Sequence, residues 1–233
     1  METLVRSPDD ENTYRHLLLS QLKLLMGSPQ AQAIRFDENG LVPCVVQDWR
    51  TGEILTLAYM NADSLRLTLD TREVHFWSRS REELWRKGET SGNTLALKEL
   101  RVDCDGDALV ALAIPAGPAC HTGERSCFHR DAESGEAPTL ALHETLAGLE
   151  RTLRSRQDAR PEGSYTVELL DDPALIGEKV REEAEEVSRA AQEESEERVA
   201  EEAADVLYHL AVLLRSRDVA IADVLEVLDE RRR

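Results

Sequence analysis

The sequence predicts a protein of the multi-domain α and β class, in which a β-rich N-terminal domain precedes an all-α helical bundle. Two observations support this prediction. Short strand-like apolar runs fill Ile34 to Ile114, whereas after a linker-like segment the apolar residues recur at helical spacing. All four cysteines lie in the first 127 residues. The predicted divisions are an N-terminal helical extension (1–33), a β-rich domain (34–130), a linker (131–138) and a helical domain (139–233).

Length and charge narrow the class of protein. A chain of 233 residues allows two domains of ordinary size, and 41% hydrophobic residues indicate globular folding. The formal net charge of −18 argues against nucleic acids and acidic membranes as partners. An anionic small molecule remains compatible if divalent cations lie between it and the protein. The N-terminus lacks the pattern of a signal peptide, and no apolar stretch is long enough to span a bilayer, so we expect a cytosolic protein.

The first strands of the β-rich domain are predicted from alternation and turn residues. Leu41–Asp48 and Glu53–Met60 are β-rich runs on either side of a hairpin turn at residues 49–52. Asn61 is a suitable N-cap for a short helix that extends through Leu69.

Three later runs also have strand character: Val74–Arg79, Lys98–Cys104 and Ala108–Ile114, with Asp105-Gly106 turning the chain between the last two. Asp10–Met26 has the pattern of an amphipathic helix, to which we assign a packing role and no chemistry.

The C-terminal part predicts four helices. The first carries leucines at spacings of four, three and four, and the second opens at Asp172-Pro173, a favourable N-cap and first-turn pair. The fourth covers Ala222–Arg233. The predicted apolar stripes are Leu142, Leu146, Leu149 and Leu153 on the first helix, Val180, Ala184, Val187 and Ala191 on the second, and Val199, Ala203, Val206, Leu210 and Leu213 on the third.

Three cysteines form a candidate zinc site. Cys120 and Cys127 flank a six-residue loop, and Cys104 precedes Cys120 by sixteen residues. Zinc favours thiolate ligands, and a catalytic site uses three protein ligands and leaves one position for water. On spacing alone, scattered core thiols are an equally good interpretation. Cys44 lies in an apolar run and is interpreted as a small buried hydrophobe.

Three aspartates around Cys104 form a second candidate metal site. In an extended chain Asp103, Asp105 and Asp107 would share one face while Cys104 points to the other. Oxygen ligands suit magnesium, so the segment could serve two metals. An EF-hand is excluded because its glycine and glutamate positions are not matched. A solvated acidic hairpin tip is the alternative interpretation.

Three motifs in order resemble phosphoribosyl-AMP cyclohydrolase of histidine biosynthesis: residues 85–93, residues 103–107 and Cys120-His121…Cys127. The resemblance covers about Ile34 to Arg130. It implies a β-rich homodimer with zinc at the subunit interface and thiolates from both chains. It further implies Cys104, Cys120 and Cys127 as zinc ligands, Asp103, Asp105 and Asp107 as magnesium ligands, and a substrate-binding segment comprising Trp85, Lys87, Gly88, Glu89, Thr90, Ser91, Gly92 and Asn93.

The implied reaction is attack of water on an N1-substituted adenine, which opens the ring. Zinc lowers the pKa of its bound water toward neutrality, and a nearby group must deliver a proton to the departing nitrogen. His121, beside a ligand cysteine, is the first candidate, with His75 and His129 as weaker ones. The run Ser78, Arg79, Ser80 and Arg81 resembles a family segment suited to gripping phosphate, although a surface strand end has similar composition.

Four carboxylates at helical spacing form a candidate site in the second domain. Glu183 and Glu186 are three residues apart, as are Glu202 and Asp205, so each pair shares a helix face. Two antiparallel helices can bring all four together, an arrangement that needs a cation such as magnesium. The usual explanation of charged runs is a solvated face, which we expect for residues 193–197.

Residues 177–187 and 201–209 resemble phosphoribosyl-ATP pyrophosphohydrolase, one of the MazG-like all-α pyrophosphohydrolases with an ExxE…ExxD signature. Glu182 and Glu185 offer a second ExxE register, but the family pattern selects Glu183 and Glu186. Residues 161–166 resemble the family's loop between its first helices. The resemblance implies magnesium ions between the phosphates and the four acids. Lys179 could offset phosphate charge, although a solvated lysine on the helix surface is an equally good interpretation.

The two resemblances together predict a bifunctional hydrolase of phosphoribosyl adenine nucleotides that uses Zn²⁺ and Mg²⁺. The helical domain would release pyrophosphate from phosphoribosyl-ATP, and the β-rich domain would open the adenine ring of phosphoribosyl-AMP. Two alternatives remain: a general nucleotide pyrophosphohydrolase with a degenerate zinc module, and a non-enzymatic zinc-stabilised dimer whose helices recruit a partner.

Overall fold

A computed structural model describes residues 34–232, and the chain divides into two compact units that meet between Pro138 and Thr139. The first unit is built on a β-sheet and the second is built of helices, so the predicted fold class is confirmed. The predicted extension over residues 1–33, with its helix at Asp10–Met26, lies outside the described residues. Within residues 34–232, no helix has the length and apolar character needed to cross a bilayer.

The first unit contains a six-stranded mixed sheet with the order β4-β3-β2-β1-β6-β5. Strand β1 pairs in parallel with β6, and the other neighbouring pairs are antiparallel. The chain crosses from one edge of the sheet to the other between β4 and β5, and β6 then returns to pair with β1. The strands are β1 (Val42–Asp48), β2 (Ile54–Met60), β3 (His75–Ser78), β4 (Glu83–Arg86), β5 (Leu95–Val102) and β6 (Leu109–Pro115).

Side-chain alternation explains the central strand. In β1, Val42, Cys44 and Val46 are fully buried while the intervening residues are partly exposed, as expected when one face of a sheet covers the core. Helix α1 (Ala62–Thr71) packs near β2, β3 and β4. The predicted cap is confirmed, because the Asn61 side chain accepts a hydrogen bond from the Ser64 amide and Ser64 closes the reciprocal capping box.

Two strand predictions needed correction. Strand β4 was not predicted, because its residues are mostly exposed and carry no alternating apolar pattern. Strand β5 begins at Leu95, three residues before the predicted Lys98, since Leu95 and Leu97 are both buried in the core. The hairpin turn at residues 49–52 is confirmed, and β6 starts one residue later than predicted.

The second unit contains five α-helices after a short 3₁₀ turn at Leu142–Glu144. Asp172 caps α4 by accepting hydrogen bonds from the Ala174 and Leu175 amides, both at 3.0 Å, and Pro173 occupies the first turn as predicted. Only two residues separate α4 from α5, so these long helices pack as an antiparallel hairpin. The helices are α2 (Thr145–Ala159), α3 (Tyr165–Asp171), α4 (Pro173–Glu193), α5 (Glu196–Ser216) and α6 (Ile221–Arg232).

The helical stripes were predicted only in part. Leu142 is 93% exposed in the 3₁₀ turn, and Leu153 is the fully buried member of its stripe. On α4, Ala184 and Ala191 are exposed, and the buried residues are Ile176, Glu183 and Ala190. The face of α4 that packs against the core therefore includes the carboxylate of Glu183, which a search for apolar residues does not detect.

Helix α3 was missed. It begins at Tyr165, inside the segment 161–166 that was assigned to a loop, and it buries Leu169 against the core formed by Leu153, Ile176 and Val212. Its seven residues are too few for a helical period to stand out in the sequence.

Candidate active sites

The Cys120–Cys127 loop follows β6 and is fixed to β2. The Cys120 amide donates to the carbonyl of Glu124 at 2.9 Å, which closes a tight loop. Downstream, the Ser126 hydroxyl donates to the Ile54 carbonyl at 2.6 Å, and the Cys127 amide donates to the Leu55 carbonyl at 2.8 Å. These bonds close the loop at Cys120 and attach Cys127 to the start of β2.

The two thiols interact with each other and differ in acidity. The Thr122 hydroxyl donates to Cys120 Sγ at 3.1 Å and lowers the pKa of that thiol, and Cys127 contributes to the same effect. Although Cys127 is exposed as a residue, desolvation of its sulfur raises its pKa, and the charge of Cys120 adds to this. The pair therefore favours one thiolate beside one thiol, an arrangement that a soft cation can bridge.

Cys104 does not join this pair within one chain. In residues 34–232, no group of three side chains close enough to share a metal ion contains Cys120 or Cys127. The residues present thus offer zinc two thiol ligands in one place and leave the third elsewhere. Cys44 is fully buried in the core, and burial raises the pKa of its thiol to about 12, so it behaves as a hydrophobe.

Three histidines lie between residues 34 and 138, in different settings. His121 is exposed, with Nδ1 3.9 Å from Cys120 Sγ. His75 is buried and its Nδ1 lies 2.7 Å from the Glu73 carbonyl, while His129 Nδ1 lies 2.9 Å from the Ser126 carbonyl. One ring nitrogen of His75 and one of His129 therefore contact backbone carbonyls. His121 instead contacts Cys120, a candidate metal ligand.

The acidic segment between β5 and β6 is a tight loop, and the predicted extended alternation is wrong. Asp103 Oδ1 accepts hydrogen bonds from the amides of Gly106 at 2.7 Å and Asp107 at 3.0 Å, which folds the segment around one carboxylate. As a result Asp103, Cys104 and Asp105 have ligand atoms within 4.8 Å of one another. Cys104 thus lies with the aspartates instead of opposite them, and Asp107 is outside this group.

The charges in this loop affect one another. The repulsion by Asp105 raises the pKa of Asp107. For Asp103, desolvation acts to raise the pKa, but the hydrogen bond from Gly106 and the other bonds together lower it. Arg35 pairs with Asp105 at 2.6 Å, so one of the three acids already has a cationic partner.

The segment 85–93 begins at the end of β4 and continues as a loop whose shape depends on glycine. Gly88 has φ +87°, and a Cβ there would lie 2.4 Å from the backbone carbon and oxygen of Asn93. Lys87 is buried, with Nζ 5.8 Å from the centre of the Trp85 ring. The remaining predicted substrate-binding residues of this segment are exposed on the loop: Glu89, Thr90, Ser91 and Gly92.

The Ser-Arg-Ser-Arg run forms the turn between β3 and β4. Arg79 lies over the Tyr59 ring, 3.9 Å from its centre. Arg81 donates to the Ser78 hydroxyl at 3.3 Å and pairs with Glu83 at 3.0 Å. Ser80 is exposed. Both arginines are thus oriented by neighbouring side chains at the surface.

The helical hairpin brings three of the four predicted carboxylates together. Glu183, Glu186 and Glu202 have ligand oxygens within 4.8 Å of one another, and Glu183 and Glu202 are buried. Asp205 is exposed and outside this group. Arg198 pairs with Glu202 and offsets part of the negative charge. Converging carboxylates at the edge of an apolar core are a suitable oxygen-ligand set for magnesium.

The alternative ExxE register points away from this group. Glu182 pairs with Lys179 at 2.6 Å and is exposed, as is Glu185. The hydrogen bond to Glu182 raises the pKa of Lys179, which stays charged near the carboxylate group.

Two side chains beside this group, His209 and Tyr165, have no role predicted from the sequence. His209 is buried, with Nδ1 3.6 Å from a Glu183 oxygen and Nε2 3.2 Å from the Tyr165 hydroxyl. Its position four residues after Asp205 and seven after Glu202 places it on the ligand face of α5, a signal present in the sequence.

Fold and sites together define a two-unit protein with candidate thiol ligands on a sheet and candidate carboxylate ligands on a helical hairpin. Family models for phosphoribosyl-AMP cyclohydrolase and phosphoribosyl-ATP pyrophosphohydrolase match residues 56–129 and 146–232. The histidine biosynthesis bifunctional protein HisIE of Bacillus subtilis is 50% identical over 87% of this chain and 96% of that protein. The HisIE proteins of Thermus thermophilus and Gloeobacter violaceus are 49% and 48% identical, over 86% and 87% of this chain and 93% and 92% of theirs. The chain belongs to this bifunctional family of histidine biosynthesis, with a cyclohydrolase domain followed by a pyrophosphohydrolase domain.

Proposed function

We propose that the helical unit converts phosphoribosyl-ATP to phosphoribosyl-AMP and pyrophosphate, with magnesium held by Glu183, Glu186 and Glu202 and with Asp205 as a further ligand. The observation that carries this assignment is the convergence of three carboxylates, two of them buried, within 4.8 Å in the part of the chain that matches the pyrophosphohydrolase model. Buried carboxylates that crowd together are unfavourable unless a cation joins them.

The residues around this group support the same reaction. Magnesium, when bound, supplies positive charge to the phosphates and activates water for attack. Glu183 and Glu202 fix the ligand oxygens because both lie against the core, and Lys179 supplies a positive charge for a phosphate oxygen. The alternative register of Glu182 and Glu185 lacks this placement.

For the sheet unit we propose ring opening of phosphoribosyl-AMP at a zinc site formed by Cys120 and Cys127 of one chain and Cys104 of a second copy. The support is that Cys120 and Cys127 interact directly while Cys104 lies with Asp103. Zinc, when bound, lowers the pKa of a water ligand toward neutrality. His121, beside Cys120, is proposed to transfer the proton to the departing ring nitrogen.

The acidic loop and the two substrate segments complete this proposal. Asp103 and Asp105, with Asp107 nearby, are proposed magnesium ligands that place cationic charge at the anionic substrate. The turn at residues 78–81 and the loop at residues 85–93 are proposed to bind the substrate. The thiol ligands favour a reducing compartment, and we propose that the protein works in the cytosol as a homodimer.

Single substitutions test the division of labour. Glu186→Gln should lower pyrophosphate release by more than the roughly 10–100-fold that loss of an outer-shell contact costs, and should leave ring opening intact. Glu185→Gln, one residue away and exposed, is the matched control and should change neither rate. Cys120→Ser should abolish ring opening and leave pyrophosphate release intact. Loss of both reactions in either folded variant would contradict the assignment.

Mixing two inactive variants tests the shared zinc site. If Cys104 of one copy joins Cys120 of the other, a mixture of Cys104→Ser and Cys120→Ser chains regains one intact site in each mixed dimer, about a quarter of the wild-type ring-opening rate after random exchange. A site built within one chain predicts no recovery. Ring opening is measured by absorbance after denaturation and refolding of the mixture, with each variant alone as control.

A comparison of substrates separates the proposed function from a general pyrophosphohydrolase. Phosphoribosyl-ATP should be cleaved with a much higher kcat/KM than dCTP or dUTP. A preference for the free triphosphates would overturn the assignment of the helical unit.

A further inference from the structure

His209 links the carboxylate group to Tyr165 through both of its ring nitrogens. Nδ1 lies 2.9 Å from the Asp205 carbonyl oxygen and 3.6 Å from a Glu183 carboxylate oxygen. Nε2 lies 3.2 Å from the Tyr165 hydroxyl, and the two rings meet edge to face. The side chain is buried, so these contacts provide the polar partners that water would otherwise give to the ring nitrogens.

These neighbours determine which nitrogen carries the proton. A backbone carbonyl only accepts hydrogen bonds, so Nδ1 must be the protonated nitrogen that donates to the Asp205 carbonyl. Nε2 of the neutral ring is then an acceptor, and Tyr165 is its donor. Desolvation raises the pKa of Tyr165, which keeps the phenol protonated and able to donate.

The fixed ring presents its Nδ1–H to the ligand carboxylate. The same Nδ1 that bonds to the Asp205 carbonyl lies 3.6 Å from a Glu183 oxygen, an electrostatic contact beyond hydrogen-bond distance, so the ring places a polar N–H beside that carboxylate. Polar groups around the carboxylate ligands of metal sites help to orient them, and loss of one typically weakens metal binding roughly 10–100-fold.

We propose that His209 is a positioning residue, which orients Glu183 for divalent-cation binding and is itself held in one tautomer by Tyr165. This inference rests on the proposed magnesium site and deepens it. A histidine that only filled the core would need the right volume and one hydrogen bond. The proposed role needs a donor at the Nδ1 position specifically.

Two substitutions separate these roles. In His209→Asn the side-chain amide can take the place of Nδ1, whereas in His209→Gln it reaches the place of Nε2 and leaves the Glu183 side without a donor. Mn²⁺ alone is titrated into the full chain and followed by electron paramagnetic resonance. The Mn²⁺ that wild type binds and Glu186→Gln does not bind defines this site.

The expected result is affinity within about threefold of wild type for His209→Asn, and a loss of about 10–100-fold for His209→Gln. Tyr165→Phe, which removes only the hydroxyl of a partly exposed ring, should weaken binding severalfold. Tyr208→Phe is the control, because its hydroxyl contacts Thr166 at 2.8 Å instead of His209. Equal affinities for His209→Gln and wild type would overturn the inference.

A failure of the proposed magnesium site would give a different result in the same titration. If Glu186→Gln binds as much Mn²⁺ as wild type, the carboxylate site itself is wrong, whatever the His209 variants show. A measurement on unmutated protein guards against misfolded variants: nitrogen-15 spectra of the histidines should show His209 protonated at Nδ1 without added metal. Protonation of the neutral ring at Nε2 would contradict the proposed contacts.

Discussion

Arg125 fastens the cysteine loop to the turn between β1 and β2. Its guanidinium pairs with Glu53, donates to Asp48 at 2.9 Å and reaches the Thr51 hydroxyl at 3.3 Å. Asp48 is only 4% exposed, and besides Arg125 it accepts a hydrogen bond from the Arg50 amide. Replacement of Arg125 by alanine therefore leaves a buried carboxylate short of its cationic partner.

The cost follows from these contacts. Removing one member of a buried ion pair costs about 3–5 kcal/mol, and a hydrogen bond to a charged group about 1.5–3 kcal/mol. The Arg125 side chain is 37% exposed, so water replaces part of what is lost and the lower range applies. We expect Arg125→Ala to reduce the unfolding free energy of the sheet unit by about 2–3 kcal/mol, equivalent to a Tm lower by roughly 10 °C.

Tryptophan fluorescence measures this unit alone, because the three tryptophans of the chain are Trp49, Trp77 and Trp85. Urea unfolding with a chelator present keeps metal binding out of the comparison. Arg50→Ala is the matched control, because Arg50 contacts Asp48 through its backbone amide, which the substitution keeps. Its unfolding free energy should stay within about 0.5 kcal/mol of wild type.

A double-mutant cycle tests the cause. Asp48→Asn should recover part of the loss in Arg125→Ala, because the neutral amide no longer needs a cation. If Arg125→Ala is as stable as Arg50→Ala, the reasoning from burial and pairing is refuted.

Three further predictions concern the same unit. Gly88→Ala should lower the unfolding free energy by at least about 2 kcal/mol, because backbone strain at φ +87° adds to the close approach of a Cβ 2.4 Å from the Asn93 backbone. Gly92→Ala, with φ +77° and open space around it, should cost about 1 kcal/mol. Urea unfolding measures both, and equal costs would contradict the close approach at Gly88. Cys44 should resist iodoacetamide in the folded protein while exposed Cys104 reacts, as mapped by mass spectrometry. Because the pKa of Cys44 is about 12 when folded and near 9.0 when unfolded, its contribution to stability is complete below pH 9 and falls as the pH rises, by up to about 1.4 kcal/mol per pH unit, a slope that Cys44→Ala should lack.

The parts of the fold that sequence could predict are those set by neighbouring residues. Alternation in Val42–Asp48 specifies a half-buried strand, and the Asp172-Pro173 pair specifies a helix start. The missed strand β4 has no such local signal, because its pairing with β3 depends on a turn and on partners elsewhere in the sheet. Helix α3 likewise exists because Leu169 finds a core made by other helices.

The candidate sites likewise combine features that local sequence patterns predict with features that depend on packing between helices. Spacing alone makes the pair Glu182 and Glu185 as good as Glu183 and Glu186, and the expected apolar stripe on α4 included Ala184, which is exposed. The register depends on which face meets α5, where Glu202 and His209 are also buried. The family resemblance selects the same register, but residue spacing without it does not.

The two sites differ in how much of the ligand set one chain can assemble. Glu183 and Glu202 are brought together by a helical hairpin, a local structure with a two-residue connection, so a single chain gathers three carboxylates. Cys104 and Cys120 lie in separate loops after β5 and β6, each held by its own hydrogen bonds: Asp103 folds the first loop, and the contacts to β2 hold the second. Within residues 34–232, Cys104 belongs to a group of possible metal ligands that contains neither Cys120 nor Cys127. This separation of the thiols is the reason for the proposal that a second copy of the chain completes the zinc site.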